Sequence, residues 1–267
     1  MRRRHLPCAL TIAGSDSGAG AGIQADLKTF AARGVHGTSA ITAITAQDTC
    51  AVHAVTVLRP AIVRAQIDAV LDDLGADAVK TGMLGSAAVV AAVADALAAH
   101  RVKRLVVDPV MHATEGGALL ARGGAAMLQR RLVPLAELVT PNLAEASVLV
   151  GFPVRDLRAM EEAARTLVAA GARAAVVTGG HLAGDPVDVA VVDGVVHRFR
   201  GRRVPGPSPH GTGCTFAAAI AAERAKDVPI VEAIRAAKRY VTGAIRRAHA
   251  VGRGRPILGH LPTPGGA

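Results

Sequence analysis

The chain has 267 residues, a formal net charge of +10, one Tyr, four Phe and no Trp. Scattered basic residues with so few aromatics argue against a base-stacking nucleic-acid platform and suit smaller anionic partners, phosphates included. Cys8, Cys50 and Cys214 lack the spacing of a disulfide framework or a zinc site. No apolar run reaches the roughly 18 residues of a membrane span, so a soluble cytoplasmic protein is expected. The length without a linker predicts one domain over 1–267.

Residues 8–13 read as a short buried strand running into the glycine loop 14–22 and a helix from about Ile23 to Ala32. The loop is neither a dinucleotide fingerprint nor a P-loop, because its glycines alternate and no Gly-Lys-Ser/Thr follows. Asp16 and Asp26 flank it and could hydrogen-bond a small polar ligand. A strand over Thr38–Thr45 ends at Gln47. A helix follows Pro60, with Ile62, Ala65, Ile67, Val70, Leu71 and Leu74 as its apolar stripe. Strands over 77–81, 104–108, 137–140 and 174–178 alternate with helices over 86–99 and 156–170, and with one more before 137. Residues 112–118 carry no strong pattern and make a candidate flap. Asp193-Gly194 between two β-branched runs marks a hairpin. Helices over 212–226 and about 229–248 complete the chain. This alternation predicts a mostly parallel sheet covered on both faces, with polar clusters just after the strands, where such folds place ligands.

Gly211, Thr212 and Gly213 form a permissive turn that opens an Ala-rich helix, with Cys214 in its first turn. Converging N–H groups and the positive end of the helix make this an anion site. Asp108, Asn142 and Glu145 are oxygen-bearing groups suited to Mg²⁺. Asn142 with Glu145 three residues on is equally a helix-capping pattern. Phosphoryl transfer needs positioning, Mg²⁺ and aimed donors, which is what this set offers.

The chain resembles the hydroxymethylpyrimidine/phosphomethylpyrimidine kinases of thiamine biosynthesis, in the ribokinase-like superfamily. The resemblance rests on Ala-Gly-Ser-Asp-Ser at 13–17, Gly-Ala-Gly-Ile-Gln-Ala-Asp-Leu-Lys-Thr-Phe at 20–30 and Ile-Thr-Ala-Ile-Thr-Ala-Gln at 41–47. Lys-Thr-Gly-Met-Leu at 80–84, Val-Asp-Pro-Val-Met at 107–111 and Thr-Pro-Asn-Leu-Ala-Glu-Ala at 140–146 extend it. Gly-Gly-His at 179–181 and His-Gly-Thr-Gly-Cys-Thr at 210–215 complete it. It implies a three-layer α/β/α sandwich and ATP-dependent phosphorylation of the hydroxymethylpyrimidine and then of its monophosphate. It further implies that Asp26, Gln47, Met83 and Val110 line the pyrimidine pocket. Asn142, Thr178, Gly180, His181 and Lys238 are implied for ATP, and Asp108 and Glu145 for Mg²⁺. Gly211, Thr212, Gly213 and Cys214 are implied as the catalytic anion hole, and the assembly as a homodimer. Sugar kinases of the superfamily carry an aspartate base where this family has cysteine. A helix start lowers a thiol pKa, so partial thiolate at Cys214 is the expectation.

Thr178 stands where the family commonly has lysine, Ser208-Pro209 where a polar pair is usual, Ala19 for glycine and Asp48 for asparagine. These departures bear on substrate preference, and Lys28, Lys80 or Lys238 could restore charge lost at Thr178. A pyridoxal kinase of similar fold and a non-catalytic pyrimidine-binding regulator are the competing expectations.

Overall fold

The apolar run from Cys8 is buried on both faces, as the middle strand of a parallel sheet must be. The computed structural model describes residues 6–112 and 117–261. Its elements begin β1 (Cys8–Asp16), α1 (Gly22–Ala32), β2 (His36–Gln47), β3 (Val52–Val57), α2 (Pro60–Asp73) and β4 (Ala78–Thr81). Next come α3 (Ala87–Ala99), β5 (Leu105–Val107), α4 (Gly124–Arg131), β6 (Leu138–Val139), α5 (Leu143–Val150) and α6 (Leu157–Ala169). The last are β7 (Ala174–Val177), β8 (Val187–Val192), β9 (Val195–Arg200), α7 (Thr212–Ala225) and α8 (Ile230–Arg246). The strands form one nine-stranded sheet in the order β3-β2-β1-β4-β5-β6-β7-β8-β9. From β2 to β7 the pairing is parallel, while β3, β8 and β9 join antiparallel.

Side chains alternate across the sheet, so each strand feeds two cores. Leu10 and Ile12 meet Val63 and Ile67 of α2, Val93 of α3 and Met160 of α6 on one face. Ala9 and Val106 meet Phe30 of α1, Ile220 of α7 and Ile234 of α8 on the other. The result is the expected three-layer α/β/α sandwich. Helix α7 is buried nearly all round, and its alanines let it lie close on the sheet.

Three readings of the chain change. Strand β3 goes unpredicted: it is an edge with almost every side chain exposed, so no buried stripe marks it. The stripe of α2 is displaced, because Val63 and Ile67 are its buried residues while Ile62 and Leu74 are about half exposed. The flap expected over 112–118 falls partly on 113–116, outside the described residues, and its flanks His112 and Ala118 pair antiparallel.

After α8 the chain returns as a strap over 249–260. His249 and Ile257 exchange backbone hydrogen bonds of 3.1 and 3.0 Å. His260, 5% exposed, reaches back to Thr215 with Nε2 3.0 Å from Oγ1. Burial, with Lys28 and then Arg247 close by, outweighs a bond to the Leu258 carbonyl and pulls its pKa down to about 4. An unfolded chain titrates this group near 6.5, so the unfolded state binds more protons in between. Stability contributed by neutral His260 is present above about pH 6.5 and is lost as pH falls toward 4. We expect a loss of ~2–3 kcal/mol between pH 7 and 4.5 that is missing from His260→Gln. Urea midpoints of the two proteins at both pH values check this.

Candidate active site

Parallel strands carry their carboxyl ends to one side, and there the loops after β1, β2, β4, β5, β6 and β7 open together. Asp16 is buried and turned onto its own loop. Its carboxylate accepts from the N–H groups of Gly18 at 2.8 Å, Gly20 at 3.0 Å and Ala21 at 2.8 Å. It therefore holds the loop, in place of the ligand-binding role the sequence offered it. Gly22 sits at φ +58, and a Cβ there would lie 2.4 Å from the Gly14 carbonyl oxygen.

The start of α7 docks on this loop. Gly211 is its N-cap at φ +82, and a Cβ on it would lie 2.0 Å from the Gly20 carbonyl oxygen. No side chain caps α7, which leaves its first-turn N–H groups for a ligand. The expectation that Gly213 also needs permissive angles fails. Its φ is not positive, and an added Cβ would meet nothing within 4 Å.

Beneath the turn lies a buried charged cluster. Lys80 is fully buried at the end of β4, with Nζ 2.9 Å from Asp26 Oδ2 and 3.6 Å from Asp108 Oδ2. Thr11 Oγ1 donates to the same Asp26 oxygen at 2.6 Å, and Asp26 is itself fully buried. Burial disfavours the charged lysine, but Asp26 first and Asp108 with it raise its pKa and keep it protonated. Asp26 thus forms the floor of the site. Cys214 is half-buried beside this cluster, close to Asp108 and to the Gly22 N–H. Desolvation outweighs Lys80 and pushes its thiol up to about 12. This opposes the expected partial thiolate: removal from water, aided by the Asp108 and Asp26 carboxylates, favours the neutral thiol against Lys80 and the Gly22 N–H.

On the β2 side, Gln47 is half-buried with its Nε2 2.8 Å from His210 Nε2, and His210 Nε2 is 3.7 Å from Asp16 Oδ2. Met83 is buried, and its sulfur would be 3.0 Å from a Cβ on Gly14. Val110, half-buried, lies two residues past Asp108, beyond Pro109, and donates its N–H to the Asp108 carbonyl at 2.9 Å.

On the β6–β7 side, Asn142 and Glu145 form the capping box of α5. Asn142 Oδ1 accepts from Ala144 N and Glu145 N at 2.9 and 3.0 Å, and Glu145 Oε2 accepts from Asn142 N at 2.9 Å. Glu145 is buried, and burial followed by the nearby Asp108 pushes its carboxyl up to about 8. Thr178 N donates to the Pro141 carbonyl at 2.9 Å, while Gly180 and His181 are exposed. Lys238 Nζ is 2.7 Å from Asp188 Oδ2, and Asp188 Oδ1 accepts from Gly179 N at 3.0 Å. Lys238 therefore braces the loop behind Thr178. Lys28 donates to the Ala19 carbonyl at 2.9 Å, so each lysine considered as a substitute at Thr178 already has a partner. Arg203, absent from the sequence reading, donates to the carbonyls of Gly180, Leu182 and Gly184 at 2.6–3.1 Å. One exposed arginine is hard to place by sequence, because its partners are backbone atoms of a distant loop.

An uncapped helix start close to buried Asp108, at the mouth of a parallel sheet, suits a phosphotransferase of small molecules. The family model for phosphomethylpyrimidine kinase matches residues 16–258. The chain belongs to the phosphomethylpyrimidine kinase family and has its ribokinase-like fold. It is 50% identical to the thiamine biosynthesis bifunctional protein ThiED of Geobacter sulfurreducens, covering 97% of this chain and 54% of that one. It is also 50% identical to the hydroxymethylpyrimidine/phosphomethylpyrimidine kinase of Rhizobium meliloti, covering 95% and 96%. Among solved structures it superposes on an ADP complex of Bacillus subtilis pyridoxal kinase with a TM-score of 0.89. That pair shares 38% identity over 96% of this chain and 98% of the other.

Proposed function

We infer that this protein uses ATP to phosphorylate 4-amino-5-hydroxymethyl-2-methylpyrimidine and then the resulting monophosphate, supplying thiamine biosynthesis. The observation that carries the reading is the open first turn of α7, set beside Cys214 and above the Lys80–Asp26–Asp108 cluster. Family membership supplies the substrate class. In this reading the chain acts as one ribokinase-like domain, within a cytoplasmic homodimer. Exposed Ile44, Val55 and Val57 on the β2–β3 edge give a second copy an apolar surface.

Gln47 offers both a donor and an acceptor to an aminopyrimidine edge, with Met83 and Val110 as apolar walls. Asp26 positions Lys80 from below. The N–H groups of Thr212, Gly213 and Cys214, in the first turn opened by Gly211, receive the transferring phosphoryl group. Asn142, Thr178, Gly180, His181 and Lys238 border the ATP end, with Lys238 acting through Asp188. Asp108 Oδ2 is buried without a hydrogen bond, and Glu145 faces it with a raised pKa. A divalent cation fits that pair, which would otherwise confront two carboxylates in a dry wall. Asp108 and Glu145 would hold Mg²⁺, which when bound offsets charge between the phosphates. With its thiol protonated, Cys214 shapes the pocket and lies against Asp108. A loose transition state asks little of a base, so the substrate proton leaves late.

Coupled ADP release with hydroxymethylpyrimidine, its monophosphate and pyridoxal tests the reading. Turnover of both pyrimidines with pyridoxal far behind is expected, and inertness toward both pyrimidines overturns it. Gln47→Leu should weaken pyrimidine binding by about 5- to 150-fold, the worth of one to three kcal/mol of unpaired polar groups. ATP affinity should stay within twofold, and calorimetry with each ligand measures both. Equal losses would place Gln47 elsewhere.

A further inference from the structure

An anion-binding helix start poses a mechanical problem. Its N–H groups must stay open for the ligand, so the turn cannot be steadied by a side-chain cap that consumes them. The strap over 249–260 meets the turn at points that leave those donors free. His210 N, one residue before the turn, donates to the Pro256 carbonyl at 3.1 Å, and His210 pairs in parallel with Ile257. Ile257 also packs toward Gly20, whose carbonyl oxygen lies under Gly211. Beyond the turn, Thr215 Oγ1 meets His260 Nε2 at 3.0 Å, one residue after Cys214.

The strap has its own anchors. Tyr240 OH donates to the His260 carbonyl at 3.0 Å, Arg247 Nε to the Gly259 carbonyl at 3.2 Å, and Gly259 N to the Ala244 carbonyl at 3.1 Å. All three tie it to α8 or the residue just after it, and Leu258 is buried beneath it. At its other end Arg255 N donates to the Thr49 carbonyl at 2.9 Å, and Gly254 N to Thr49 Oγ1 at 3.0 Å, two residues past Gln47. One stretch therefore touches the loop after β2, the loop after β1 and both sides of the anion turn. Nε2 accepts the Thr215 hydroxyl proton in the tautomer that carries its own proton on Nδ1.

We propose that this strap holds the anion turn in its phosphate-receiving geometry, with His260 as a positioning residue acting through Thr215. The catalytic part of this proposal rests on the kinase reading above. Thr215 is held by His260 at 3.0 Å, and the first turn of α7 lies between two strap contacts with its donors unspent. Misplacing such a turn by about 1 Å costs on the order of 10²-fold in rate.

The full chain carrying His260→Leu, His260→Gln, Thr215→Val or His260→Leu with Thr215→Val provides the test. His260→Leu should lower kcat about 10- to 100-fold with pyrimidine KM within twofold. His260→Gln, whose carbonyl can accept from Thr215, should recover to within about threefold of the native rate. Thr215→Val should repeat the loss and the double variant add nothing to it. Amide hydrogen exchange in substrate-free protein supplies a readout that needs no turnover. In His260→Leu the amides of 211–215 should exchange at least about tenfold faster while those of α8 keep their native rates. An even rise over α7 and α8, parallel changes in kcat and KM, no rescue by Gln, or native exchange at 211–215 would each overturn the proposal. A native protein inert toward every acceptor would remove the kinase reading, and exchange alone would then judge whether the strap holds the turn.

Discussion

Gly211→Ala is expected to cut phosphoryl transfer by about 10³-fold or more, while Gly213→Ala leaves folding stability near the native value. A Cβ on Gly211 would lie 2.0 Å from the Gly20 carbonyl oxygen, far inside any real contact, and φ there is +82. The neighbouring atom is backbone, so it has no rotamer by which to yield. The turn must then lift away from the β1–α1 loop, and the first-turn N–H groups move with it. Each preorganised donor lost from such a site costs roughly 10²–10³ in rate, and more than one is displaced. Left-handed strain adds about 1–3 kcal/mol against folding. At Gly213 an added methyl meets open space, so any loss of rate there reports crowding of the ligand alone. Single-turnover rates with urea melts of both variants check the pair. Native turnover in Gly211→Ala would remove the turn from the mechanism.

Lys80→Met should destabilise the protein by about 3–5 kcal/mol, the usual consequence of leaving a buried charge without its partner. Lys80 and Asp26 are both wholly buried, at 2.9 Å from each other, and Asp108 stands 3.6 Å from the same ammonium. Methionine fills the space of the stem but leaves two carboxylates facing one another in a dry floor. The double variant Lys80→Met with Asp26→Asn should regain a large part of the loss, since it removes one of the stranded charges and keeps an acceptor for Thr11. Double-mutant cycles in urea measure the coupling. A single variant within about 1 kcal/mol of native would show that the cluster does not depend on its cation.

The parallel core was legible because its strands are short runs rich in apolar residues; β4, β5 and β7 lie close to their predicted ranges, while β1 runs on to Asp16. Helix α5 was visible only as the Asn142–Glu145 pattern, and the structure forms that capping box while keeping Glu145 near Asp108. Both physical readings of the pattern were compatible, which sequence spacing could not reveal. Strand β3 was hidden because an exposed edge has no hydrophobic alternation to display. Motif order placed the loops at the mouth of the sheet. It could not show which groups also serve the protein: Asp16 holds its own loop, and Asp26 holds Lys80 through Oδ2 while its Oδ1 is buried without a hydrogen bond. Lys80 looked like a free phosphate cation for the same reason, since its burial depends on two carboxylates far away in the chain. The strap was illegible because His260 and Thr215 meet 45 positions apart with no periodicity between them.

The two helical layers differ in when they are made. Helices α2 to α6 come from one continuous central stretch, whereas the opposite layer takes α1 from the start and α7 and α8 from well over a hundred residues later. During synthesis, the sheet can be clothed on the first side while Val106, Leu138 and Val176 still face water on the second. A nascent chain halted before α7 would therefore present a one-sided, sticky sheet, the kind of surface that chaperones engage. Contacts such as Gly20 with Gly211 close a loop over most of the chain, which makes the phosphate-receiving turn one of the last features to form. Catalytic competence would thus be a late event on the ribosome, arriving with the same helix that seals the second core.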